Sequence, residues 1–136
     1  MSEEGVAMRS ERGQATVELA VVLPFLLLVL LGIAELGMML SAYLSVQTLA
    51  QRGAEDVGLG MSETAIVAQL DGLVPPDLNP AAVTIAFSPD ESQGNWGFGT
   101  PVTVTVRYPY PVVAPLISSL VGSQVYLESS LTEPAG

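Results

Sequence analysis

One stretch dominates what this chain can become. From Leu19 to Ala34 the sequence reads LAVVLPFLLLVLLGIA without a charge; Glu35 interrupts it and LGMMLSAYL carries it to Leu44. A helix crossing a bilayer needs about 20 mostly apolar residues. The first run is slightly short alone, and with the second it is long enough to span with some tilt. Three readings compete. A buried core helix demands a domain large enough to cover a helix apolar all round, which the rest of a 136-residue chain does not supply. A cleaved secretory signal would use Arg9 and Arg12 as its basic region and Gly32-Ile33-Ala34 as its cleavage site. It leaves Glu18, at the edge of the apolar run, and the MML and AYL segments without a role. A retained anchor accounts for all of them.

Arg9 and Arg12 flank the N-terminal side closely, and Arg52 stands alone on the other. The excess of basic residues places the N-terminus in the cytoplasm and the downstream region outside it, in a single-pass arrangement in the cytoplasmic (inner) membrane. Pro24 lies inside the run. It removes one backbone bond and crowds the preceding turn, so a kink or local loosening is expected there. Gly32 and Gly37 are five apart, which does not make a GxxxG dimer face.

Composition excludes several functions. The net charge is −10, there is no Lys, and the four Arg (Arg9, Arg12, Arg52 and Arg107) are scattered. No patch exists to neutralise phosphates, so no nucleic-acid partner is expected. With neither Cys nor His, thiolate chemistry, Cys- or His-ligated metals and the usual neutral-pH general base are absent. No catalytic residue, cofactor, metal or small-molecule substrate is implied. No nucleophile elbow, phosphate loop or metal-ligand run appears. A carboxylate pair converging in space, Asp71 or Asp77 facing Asp90 or Glu91 in a cleft, would reopen the question of an enzyme.

The most informative stretch is Arg12-Gly13-Gln14-Ala15-Thr16-Val17-Glu18, leading directly into the apolar run. A short polar leader ends in glycine, and an acid follows five positions later at the mouth of the helix. An ionisable group at a membrane boundary is costly and marks function by default. The plainer alternative is an interfacial acid that reaches into the headgroups. This junction resembles the processing site of type IV pilin-like proteins, and more closely that of TadE/TadG-like pseudopilins of tight-adherence (Tad) pilus systems. The resemblance runs through ATVELAVVLPFLLLVLLGIAELG to VQTLAQRGAEDVG, about the first 58 residues. It implies cleavage between Gly13 and Gln14 by a prepilin peptidase, with Glu18 as the fifth residue of the mature chain. Cleavage would leave an amine at Gln14, at the positive end of the helix dipole. Glu18, one turn along, is placed to offset that charge in its own chain or to pair with the amine of a neighbouring subunit. The implied partners are the membrane, the peptidase, other pilin-like subunits and the pilus assembly platform. The alternative is an uncleaved anchor presenting a small envelope-binding module.

Glu35 is the second membrane-edge acid. It lies 17 residues beyond Glu18, roughly 25 Å along a helix, so exposure at the far interface is the simpler expectation and pairing with a partner subunit the sharper one.

Beyond Leu44 the helical pattern continues through Val46, Leu49, Ala50 and Gly53, giving one helix from about Ala15 to Asp56, stopped by Gly58 and Gly60. Ser62 reads as an N-cap, with Ile66, Leu70 and Leu73 at helical spacing before Gly72 and Pro75-Pro76. Val83–Phe87 and Val102–Tyr108 alternate as strands, the latter with Val and Tyr on one face and Thr and Arg on the other. Gln124–Leu131 is a third strand with poorer alternation, reached from proline-rich Pro109–Pro115 by a turn and short helix. Trp96, beside glycines in the long loop between the first two strands, reads either as a recognition residue or, as is commoner, as a ring folded back over the core. The chain thus divides into a cytoplasmic leader (1–13), a transmembrane helix with a polar extension (14–58) and a small extracytoplasmic domain (59–136). The fold class is α+β: a long N-terminal helix, then one short helix and a three-stranded, mainly antiparallel sheet, with a core that the long helix helps to complete.

Overall fold

A computed structural model describes residues 3–93 and 96–136. Its backbone is set by one helix, α1, from Glu3 to Gly58. At 1.5 Å per residue that is about 84 Å. The helix starts earlier than the expected Ala15. Glu, Ala, Met and Arg make up most of the leader, and all are good helix formers. Pro24 sits inside the helix without ending it. The C-terminus closes as expected on glycine: Gly60 has φ +79°, and the Met61 N–H reaches back to the Asp56 carbonyl at 3.1 Å.

Helix α2 runs from Glu63 to Leu73; the Ser62 side chain accepts from the Ala65 N–H at 3.3 Å, and Ile66 and Leu70 are fully buried. Strands β1 (Thr84–Ser88), β2 (Pro101–Pro111) and β3 (Gln124–Pro134) form one antiparallel sheet in the order β1-β2-β3. Thr84 pairs with Arg107 and Ser88 with Thr103; Pro101 pairs with Pro134 and Pro111 with Gln124. Helix α3 (Pro115–Val121) closes the β2–β3 connection. β2 and β3 are both longer than the alternation suggested. Continued pairing with the neighbour carries β2 through Pro109 and Pro111 despite their missing donors.

The alternation in β2 is realised. Val102, Val104, Val106 and Tyr108 are buried, while Thr103 and Thr105 bond across the outer face to Thr132 and Ser130. On the same face the Arg107 guanidinium lies 4.0 Å from the centre of the Tyr126 ring. Trp96 folds back as expected, with its ring centroid 5.3 Å from that of Phe87 and its Nε1 donating to the Pro89 carbonyl at 2.9 Å.

Much of the core belongs to α1. Ala42, Val46, Leu49, Ala50, Ala54 and Val57 are buried against the sheet and α2, at the three-and-four spacing of one helix face. Gly53 permits the closest approach: a Cβ there would stand 2.9 Å from Val104 Cγ1. Residue 58 therefore ends an element and not a packing unit, because the small domain is built directly on the upper half of α1.

Candidate functional site

α1 changes character along its length. From Val17 to Leu31 its large apolar side chains are exposed. Burial begins at Gly32 and Glu35 and continues to Val57. Only 6% of the most apolar 18-residue window is buried, and the helix is long and apolar enough to cross a membrane. A core helix would be covered; this one is bare where it is greasiest. From Ala15 to Ala34 it spans about 30 Å, the thickness of a hydrocarbon core.

Gly13, Gln14 and Glu18 lie on exposed helix at the start of the bare stretch, and among the described residues a Cβ at Gly13 would meet nothing within 4 Å. Thr16 Oγ1 donates to the Arg12 carbonyl at 2.9 Å, so the junction is ordinary helix. Glu18 takes part in no salt bridge among the described residues. The structure thus keeps the junction accessible and leaves the Glu18 carboxylate facing outward.

Glu35 departs from both expectations. It is only 3% exposed, and its partner lies in its own chain: Oε1 accepts from the Val113 N–H at 2.8 Å. The β2–β3 connection, 78 positions away in sequence, folds down over α1 and covers it. A cavity of about 480 Å³ opens beside this contact, between Leu31, Ala34, Met38, Tyr110 and Pro115. Burial, then the nearby Glu35 carboxylate and Tyr108, push the Tyr110 phenol up from its ordinary pKa. Reading the sequence missed this contact. The signal that marks it is the absence of any charge from Tyr108 to Leu127. Asp56 was missed too. It is buried on the same helix, and its Oδ2 has no hydrogen-bond partner among the described residues.

Asp71, Asp90 and Glu91 do line one open groove of about 860 Å³, with Ser62 and Glu63; Asp77 instead accepts from Ser45 Oγ at 3.3 Å. Two of the groove's carboxylates are committed to the backbone. Glu91 Oε2 accepts from the Glu63 N–H at 2.7 Å, and Glu63 Oε2 accepts from the Glu91 N–H at 2.9 Å. This reciprocal clasp ties the first turn of α2 to the β1–β2 loop and adds to the Ser62 cap. The Ser92 N–H and hydroxyl hold the Asp90 carboxyl below its ordinary pKa. That is the wrong direction for a proton donor at neutral pH.

The architecture defines a class: a single bare apolar helix whose other half is built into a small α+β module. Residues 13–55 match the family model described as TadE-like protein. Over that segment the chain is similar to TadE-like proteins, as the junction residues suggested. The matched region opens at Gly13 and takes in both the bare and the covered parts of α1. Comparison with the curated proteins and with the solved structures gives no match.

Proposed function

We propose that this protein is a membrane-anchored minor pilin or pseudopilin that takes part in assembling a Tad-type pilus, a structural subunit and not an enzyme. The observation that carries this reading is the coincidence at Gly13. The TadE-like match, the polar leader and the exposed apolar helix all meet there. The helix spans the cytoplasmic membrane with its N-terminus in the cytoplasm and the module outside. A prepilin peptidase cuts between Gly13 and Gln14. The junction is helical and exposed, so the peptidase must unwind about one turn to reach the scissile bond, and among the described residues no tertiary contact at Gly13 opposes this. Glu18 then offsets the new amine at Gln14, in its own chain or across to a neighbouring pilin-like subunit, which fixes axial register.

Burial of Glu35 narrows the assembly chemistry. With Glu35 tied to Val113, Glu18 is the acid on the bare half of α1 left facing outward. Co-expression with a prepilin peptidase tests the reading by intact mass. The expected product begins at Gln14, and Gly13→Leu blocks its formation. No mass loss, or equal loss with the variant, contradicts it.

A further inference from the structure

The β2–β3 connection ends in an apolar tip. Between Val112 and Gly122, Val113, Leu116, Leu120 and Val121 are 43–78% exposed. The stretch from Tyr108 to Leu127, 20 residues long, carries no charge. On a surface bathed in water such a cluster calls for an occupant. Its position on α1 identifies one. Ile117 Cδ1 lies 3.6 Å from where a Cβ on Gly32 would be. Glu11, Arg12 and Gln14 keep a membrane span from starting much before Ala15. Twenty residues from there reach Ala34, so whatever packs on Gly32 stands at membrane depth, about 4.5 Å on the lipid side of Glu35.

Several polar groups of the tip already have partners within the protein. Backbone entering hydrocarbon must find its hydrogen bonds within the protein. Pro109, Pro111 and Pro115 carry no N–H at all. The Val112 N–H donates to the Ser123 carbonyl at 2.9 Å, and the Val113 N–H is taken by Glu35. The Ser118 and Gly122 N–H groups donate to Ala114 and Ser118. The Ser118 and Ser119 hydroxyls turn back onto the Pro115 carbonyl, at 3.1 and 2.7 Å. Tyr110 and Tyr126 flank the tip at the level where tyrosines favour a membrane interface.

We propose that the β2–β3 tip inserts Val113, Leu116, Leu120 and Val121 into the bilayer leaflet nearer the module, so that the module meets the membrane at two points and Glu35 is shielded from lipid. The inference rests on α1 being a membrane span, and is independent of cleavage at Gly13. Two contacts set how the rigid unit of α1 and module tilts and faces against the membrane, which a lone spanning helix leaves free.

The chain has no cysteine, so single ones can be placed cleanly. Full-length L120C, L27C and F98C are labelled with a polarity-sensitive fluorophore and reconstituted into phosphatidylcholine vesicles, with or without lipids that carry a nitroxide quencher at shallow or deep positions. The expected result is loss of most of the emission at position 120 with shallow quencher, loss at 27 with deep quencher, and none at 98. Quenching at 27 without quenching at 120 overturns the tip insertion and leaves the anchor standing. Absence of quenching at both overturns the anchor as well. Emission at 120 that is blue-shifted yet unquenched, and that reverts on dilution of protein in lipid, assigns the tip to a second copy and also overturns the proposal.

Discussion

The two halves of α1 are one unbroken helix with different partners. Below Gly32 the apolar residues ring the helix and remain uncovered, while above it the module closes over one face, and Ile33, Leu36, Met38, Leu40 and Leu44 stay exposed on the rest. Leu26 and Leu49 make the contrast concrete. Both are leucines in mid-helix, but Leu26 is exposed and Leu49 is buried against the core. Apolar content alone therefore does not tell where a helix will be covered.

The comparison breaks if the two leucines behave alike. The protein in detergent can be unfolded with denaturant and followed through its one tryptophan, Trp96, which rests on Phe87. Leu49→Ala should cost about 3 kcal/mol, from lost burial and the cavity left behind. Glu35→Leu comes next. It strands the Val113 N–H and should cost about 2 kcal/mol, whereas Glu35→Gln keeps an acceptor and should cost well under half of that. Equal losses would mean that the contact is not the reason Glu35 is buried. Gly53→Ala sharpens the covered half. The new methyl meets Val104 Cγ1 at 2.9 Å, and overpacking of about 1–3 kcal/mol outweighs a helix-propensity gain of about 1 kcal/mol. A net loss near 1 kcal/mol is expected. Leu26→Ala should move the module's unfolding by less than about 0.5 kcal/mol.

The smallest effect lies off the helix. Ser92→Ala removes the hydroxyl bonded to Asp90, so an NMR titration should show the Asp90 pKa rising part of the way toward 3.8 while the Ser92 N–H still holds it down. Because the folded carboxyl is the more acidic, the stability it adds is present above the unfolded pKa. It is lost as the pH falls through the folded value. Loss on raising the pH instead would reverse the sign.

Much of this was legible in the sequence because it is local. The uncharged run set the span, Ser62 announced the cap of α2, and the Val/Thr alternation chose the buried face of β2. What escaped depends on contacts distant in the chain. The burial of Glu35 is decided by Val113, and that of Asp56 by the module that folds onto α1. The helical leader escaped for another reason. Its residues favour helix individually, but no apolar period marks them. At the junction the sequence names Gly13, Gln14 and Glu18, and the structure adds that they are exposed and uncovered.

Sequencing from the first residue of the protein taken out of its native membrane weighs the whole account at once. A chain starting at Gln14 in the membrane fraction is the expected answer. A soluble chain starting beyond Ala34 would contradict it, because the bare half of the helix would then have been a discarded signal.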